Sequence, residues 1–301
     1  MITTPNDAYH KPVLMREVLD ALQPGDGKLF LDVTFGGGGH TRALLESNPS
    51  CKVIALDWDT KAIDLNAPPL KELFGERFTI LWGNFSNLYK IVKKEKIGPF
   101  DGILADFGTS QFQIHQRPGF SFSKDSPLDM RMSPAHQLTT AADIIANYSE
   151  KDLADLFFTY GEERSSRQIA KAIVTARTER TIRTTTDLVQ VIEKLFPVKA
   201  FKAARGIHPA TKIFQALRIA VNDELNNIQS FLSTALGLLK PGGRLACISF
   251  HSLEDRIVKQ FFLKHQDKLE ILTSKPITAQ DDELVANASS RSAKLRVAQY
   301  L

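Results

Sequence analysis

Short apolar runs bounded by Gly, Asp or Pro alternate with stretches in which apolar residues recur at helical spacing. The runs cover 28–33, 52–56, 78–81 and 102–105, each too short for a helix. Such alternation predicts an α/β fold built on a parallel sheet. An amphipathic helix over 13–22, stopped by Pro24-Gly25, precedes the first run. A fifth run, 244–250, comes only after a long detour, and 269–272 with 294–300 predicts a closing pair of strands.

In the detour the alternation gives way to helical patterns. Thr186 is expected to cap a helix that presents Leu188, Val191, Ile192 and Leu195 on one face, and Pro197 ends it. One further helix is expected after His208-Pro209, its apolar face running through Ile213, Leu217, Val221, Leu225, Ile228 and Leu232 to the fifth strand. The reading divides the chain into a discontinuous Rossmann-like domain, 1–111 and 209–301, and a mainly helical insert, 112–208. The polar stretch 275–292 is expected to be a mobile loop.

Composition refines this picture in two places. At 301 residues, 43% of them apolar, the chain can bury one full α/β core and a smaller second unit. The net charge of +4 is modest, yet between Lys151 and Arg218 there are 13 Lys or Arg against 7 Asp or Glu, an excess of +6 in the insert. Both cysteines, Cys51 and Cys247, fall in apolar strands, which argues against a disulfide framework. No cluster has metal-ligand spacing, so no metal is expected. The start carries no signal-like apolar run and no stretch reaches the ~20 apolar residues of a membrane span, so a cytoplasmic protein without membrane contact is expected.

Candidate chemistry gathers at the ends of the predicted strands. The first runs into Asp32-Val33-Thr34-Phe35-Gly36-Gly37-Gly38-Gly39-His40, a glycine-rich turn that lets a ligand approach the backbone. Such a turn alone is a weak signal, but Asp57 closes the second strand about twenty residues on, where ribose hydroxyls lie in this class of fold. Both a dinucleotide and S-adenosylmethionine fit these two features. Gly83-Asn84-Phe85 after the third strand offers an amide and an aromatic face for an adenine and leans toward the latter; Phe85 could equally be core. Asp106 ends the fourth strand, placed to meet cofactor and substrate or else to cap a turn. The fifth ends in Ser249-Phe250-His251-Ser252-Leu253-Glu254-Asp255-Arg256, where His251 is a candidate partner for substrate and Ser252 a candidate helix cap.

The chain carries His10-Lys11-Pro12-Val13-Leu14, Thr34-Phe35-Gly36 with Gly38-Gly39-His40, Asp101-Gly102-Ile103-Leu104, Gly119-Phe120-Ser121-Phe122, Pro127-Leu128-Asp129-Met130-Arg131-Met132, Tyr160-Gly161-Glu162-Glu163-Arg164, His208-Pro209-Ala210-Thr211, Phe214-Gln215-Ala216 and the run from Ser249 to Arg256. In these segments it resembles the bacterial RsmH (MraW) family of ribosomal RNA small-subunit methyltransferases along nearly its whole length. It departs from the family pattern at Gly37, Pro118 and Thr109-Ser110-Gln111-Phe112-Gln113.

The resemblance implies a class I fold dependent on S-adenosylmethionine and methylation of a cytidine N4 amine in the decoding centre of 16S rRNA, within the 30S subunit. The insert would recognise the RNA, and a homodimer is left open. Carried over by motif, the cofactor contacts would be Gly38, Gly39, His40, Asp57, Phe85, Asp106 and Gln113. Asp106 and His251 are the catalytic candidates, and Phe107, Phe120 and Phe122 are candidates to hold the base. The alternatives are a cofactor-binding ribosome assembly factor without turnover, and a methyltransferase acting on DNA or a small molecule.

Overall fold

The predicted strands lie side by side in one sheet of the computed structural model, which describes residues 12–109, 114, 117–196 and 208–301. In chain order the elements are α1 (Met15–Leu22), β1 (Leu29–Asp32), α2 (Gly39–Ser47), β2 (Lys52–Asp57), α3 (Thr60–Phe74), β3 (Phe78–Trp82), α4 (Leu88–Glu95) and β4 (Phe100–Asp106). The insert contributes α5 (Ala141–Asn147), α6 (Glu150–Gly161), α7 (Ser166–Glu179), α8 (Thr185–Leu195) and α9 (Pro209–Asn222). Then follow α10 (Glu224–Ala235), β5 (Leu239–Ser249), α11 (Ser252–Lys264), β6 (Leu269–Ile271), α12 (Asp281–Ala286) and β7 (Lys294–Tyr300).

Contacts divide the chain into one unit of Met1–Ser110 with Leu225–Leu301 and another of Gln111–Glu224. In the first, seven strands run in the order β3-β2-β1-β4-β5-β7-β6. β1 to β5 pair in parallel, while β7 runs antiparallel to both β5 and β6. Both faces are covered, which is why the central strands read as continuous apolar runs. Leu31, Ile103, Ala105 and Cys247 face a layer with Phe231 and Leu232 of α10 and Val258 and Phe262 of α11. Phe30, Val53, Leu104 and Ala246 face Val18 and Leu22 of α1 and Leu44 and Leu45 of α2. The chain winds one way through β1, β2 and β3 and the other way through β4 and β5. A ligand crevice in such a sheet opens at that reversal, beyond the carboxyl ends of β1 and β4.

In the second unit α6, α7, α8 and α9 share a core of Leu153, Phe157, Ile169, Ile173, Leu188, Ile192, Ile213 and Leu217. α6 and α9 approach most closely at Gly161, where a Cβ would sit 2.7 Å from the Lys212 carbonyl oxygen. Only glycine allows that approach, which gives the Tyr160-Gly161-Glu162-Glu163-Arg164 segment a packing reason.

Three expectations are corrected. The long helix after Pro209 is two helices, broken at Asp223, whose backbone is left-handed at φ 50°. Ile213, Leu217 and Val221 join the insert core whereas Ile228 and Leu232 join the sheet core, so the boundary expected at 208/209 falls at 224/225. The cap of α8 is Thr184 rather than Thr186, because Asp187 lies three residues on and closes a capping box with it. The stretch 275–292 is also ordered: Ile277 exchanges two backbone hydrogen bonds with Leu295, α12 follows, and a 3-10 turn spans Ala288–Ser292.

Candidate functional site

The glycine turn is held from behind by the second strand. Gly36 and Gly38 take left-handed backbone angles, φ 50° and 75°, and Gly38 is the residue from which α2 starts. A Cβ on Gly38 would lie 3.0 Å from the Phe35 ring, and one on Gly39 would lie 2.7 Å from Pro12. Asp57 anchors the turn, accepting from the Gly36 N–H at 2.7 Å through Oδ2 and from the Asp59 N–H at 2.9 Å through Oδ1. Burial pushes its carboxyl up to about 6, opposed by those two N–H donors. Each oxygen keeps acceptor capacity beyond the one N–H it already receives.

Asp32, which the sequence reading left aside, ties the ends of β1 and β4 to α2. Its Oδ2 accepts from Thr41 Oγ1 at 2.7 Å and its Oδ1 from the Thr34 N–H at 3.0 Å. Thr34 Oγ1 in turn accepts from the Asp106 N–H at 2.7 Å. The signal was its place as the last polar residue of an apolar strand before the turn. Burial raises this carboxyl as well.

Asp106 stands at the end of β4, one strand from Asp32. Burial pushes its carboxyl up to about 7; His40 works against that, and the carboxylates of Asp32 and Glu254 add to it. Oδ2 lies 3.7 Å from His40 Nδ1, while Oδ1 is buried and meets no hydrogen-bond partner among the described residues. A buried acceptor without a donor is costly, which marks this oxygen as a place where a ligand or substrate completes the site.

The other candidates take distinct positions. His40 is buried with its ring turned to Asp106, leaving its main chain in the first turn of α2. His251 caps α11: its ring accepts from the Glu254 N–H, and the Glu254 carboxylate accepts from the Phe250 and His251 N–H groups. The cap is therefore His251, and Ser252 is the first helical residue. Phe85 opens a 3-10 turn, its ring centroid 6.0 Å from that of Phe107 and 5.7 Å from that of Phe231. Phe107 is 2% exposed within this three-ring cluster, so it has no face to offer a base. Phe122 packs on His208 and Phe214 inside the insert. Phe120 is half-buried. Gln113 lies outside the described residues.

Both thiols are shut in. Cys51 and Cys247 are fully buried, Cys51 Sγ donates to the Leu44 carbonyl at 3.0 Å, and burial pushes both thiols up. Neither can serve as a thiolate nucleophile.

What converges is a glycine turn, a ribose-type carboxylate and a buried carboxyl oxygen open to a partner, all at the switch point of a doubly wound sheet. These fit a nucleoside-bearing cofactor: Asp57 can hold its ribose hydroxyls, Gly38 and Gly39 can let it lie against the backbone, and Asp106 can face its reactive end.

Comparison with known proteins agrees. The family model described as the MraW methylase family matches residues 7–301. The "Ribosomal RNA small subunit methyltransferase H" of Deinococcus deserti is 45% identical over 298 residues, covering 99% of this chain and 95% of the relative. Proteins of that name from Heliobacterium mobile and Nostoc punctiforme are 46% and 47% identical, covering 97% of this chain and 99% and 94% of their own. Matched over almost all its length by the model and by such relatives, the chain belongs to the MraW methylase family.

Proposed function

We propose that the chain methylates ribosomal RNA, moving a methyl group from S-adenosylmethionine to the exocyclic N4 amine of one cytidine in the decoding centre of 16S rRNA, within the 30S subunit. The observation that carries the reading is the buried Oδ1 of Asp106 at the switch point, which has no hydrogen-bond partner among the described residues. Full-length relatives named for small-subunit rRNA methylation support the substrate class.

The cofactor supplies an activated sulfonium methyl, so the remaining work is to position and deprotonate the acceptor. A cytosine amine is a poor nucleophile because its lone pair is delocalised into the ring. Asp106 Oδ1 accepts a hydrogen bond from one N–H, returns density to nitrogen, and takes the proton as the C–N bond forms. Asp57 and the Gly38-Gly39 backbone hold the nucleoside half. Methylation at a ring carbon of cytosine would instead need a thiolate nucleophile, which buried Cys51 and Cys247 do not provide.

The insert reads as the part that meets RNA. Counted over Gln111–Glu224 it holds 16 Lys or Arg against 13 Asp or Glu, so the sequence window of +6 shrinks to +3. What supports RNA binding is the placement of the charges. Arg164, Arg167, Lys171, Arg183 and Lys194 are exposed. Several carboxylates of the insert are held in caps and ion pairs: Asp143 and Asp187 in capping boxes, Asp129 with Arg131, Glu224 with Arg218.

Labelled S-adenosylmethionine and 30S subunits from cells lacking the modification test the reading. One cytidine should gain one methyl group on N4, and Asp106→Ala should abolish the transfer. Label on no RNA, or on a ring carbon, overturns it. Restoration of ribosome assembly in cells by the Asp106→Ala protein would favour an assembly factor that only binds the cofactor.

A further inference from the structure

His40 follows the glycine turn, and its ring lies between the Val13 carbonyl and the Asp106 carboxyl. Nε2 lies 2.9 Å from the Val13 carbonyl oxygen. A carbonyl oxygen only accepts, so Nε2 must carry a hydrogen and on a neutral ring Nδ1 is the lone-pair nitrogen. That nitrogen faces Asp106 Oδ2 at 3.7 Å, with the two side chains 6% and 14% exposed. Val13 thus fixes which ring nitrogen Asp106 meets.

The Asp106 carboxyl has two unlike oxygens as a result. Oδ2 looks at the imidazole, and Oδ1 has no donor among the described residues. The charged groups facing the carboxyl are His40 from α2, Asp32 from β1 and Glu254 from α11. Two of these are carboxylates that disfavour its ionised form. Among the charged groups of the described residues, the His40 ring is the one that favours it, and only when Nδ1 is protonated.

We propose that His40 is a positioning residue: locked by the Val13 carbonyl, its ring holds the Asp106 carboxyl turned so that Oδ1 is the oxygen presented to the incoming amine, and ionised when Nδ1 carries the second proton of the ring. The ring acts through Asp106 and not as a contact to cofactor. The turnover part of the proposal rests on the methyl-transfer reading above, but the geometry of the pair does not.

Two measurements test it. In the wild-type protein without substrate, ¹⁵N-histidine NMR should show the neutral His40 ring with its hydrogen on Nε2. A neutral ring with its hydrogen on Nδ1 overturns the proposal whatever the enzyme turns over. In the second, His40→Asn and His40→Gln are assayed for S-adenosylhomocysteine affinity by calorimetry and for kcat against pH. Loss of the imidazole removes the one partner of opposite charge that Asp106 has among the described residues when that ring is protonated, so the acid limb of kcat should move to higher pH. Turnover at pH 7 should fall about tenfold and recover toward pH 9. Affinity for S-adenosylhomocysteine should stay within about twofold, equivalent to less than about 0.5 kcal/mol.

A tenfold loss of that affinity with an unmoved acid limb makes His40 a cofactor contact and ends the proposal. A variant with unchanged kcat at every pH ends it too. If the wild-type enzyme methylates no RNA, the functional reading fails while the NMR result still judges the His40–Asp106 pair.

Discussion

The buried carboxyl of Asp106, proposed to take the amine proton, carries a cost to the fold, and the sign of that cost is testable. Its carboxyl is pushed up to about 7, above the usual carboxylate range, by burial. A raised acid contributes stability that is fully present below the unfolded value near 4 and is lost as pH rises through about 7. Asp106→Asn removes the ionisation but keeps the shape. It should therefore raise Tm by about 3 °C at pH 8, where the wild-type side chain must be charged, and by less than about 1 °C at pH 5. Methyl transfer should fall about 100-fold or more at both. Equal Tm changes at the two pH values would show that the buried carboxylate is not the source. Asp57, pushed up to about 6, has the matching consequence for binding. Its ionised form is the better acceptor for ribose hydroxyls, so affinity for S-adenosylhomocysteine should weaken as pH falls below about 6. Asp57→Asn should bind about tenfold more weakly at pH 8 and lose that pH dependence; calorimetry from pH 5 to pH 8 checks both.

At the scale of elements, α8 shows why the sequence was legible in part. The helical period that exposes Leu188, Val191 and Ile192 on one face is intrinsic to the segment, and the structure buries all three. The start was ambiguous because Thr184, Thr185 and Thr186 can each cap a helix. Two partners resolve the choice. Asp187 reaches back to the Thr184 N–H, and Thr185 Oγ1 donates to the Lys124 carbonyl, 61 residues away. The second is invisible to any local pattern. Thr184→Ala should thus cost the insert about 1 kcal/mol, whereas Thr186→Ala should change its stability by less than about 0.5 kcal/mol; urea melts of the two variants decide between the caps. The same limit hid the break at Asp223, since apolar spacing continues across it from Ile213 to Leu232 while the two halves bury against different cores. The strands were read most closely because a parallel strand covered on both faces is apolar throughout. Of the site, the turn, Asp57 and Asp106 could be read from strand ends, while the cap formed by His251 and the ring cluster around Phe107 depend on neighbours distant in sequence.

For the whole molecule, charge decides how the protein would meet a polyanion, and here the distribution matters more than the sum. The units carry nearly equal net charge, +1 for Met1–Ser110 with Leu225–Leu301 and +3 for Gln111–Glu224. Total charge therefore gives little reason for RNA to prefer either. Local exposure does, because Arg164, just before α7, and Arg167 and Lys171 in its first two turns are all exposed. Binding through such a cluster displaces counterions from the phosphates, so affinity falls with salt on a logarithmic scale. Replacing all three residues by Ala should flatten that slope by about 2 for a single-stranded target, at about 0.7 for each phosphate that is no longer neutralised. The affinity for S-adenosylhomocysteine should stay unchanged, since these residues lie in the helical unit, whereas Gly38, Gly39 and Asp57, proposed to hold the cofactor, lie in the sheet unit. Fluorescence anisotropy with a labelled RNA of decoding-centre sequence, from 50 to 300 mM salt, measures the slope directly. A slope equal to wild type would move the RNA-binding surface to another part of the insert or to the sheet unit itself.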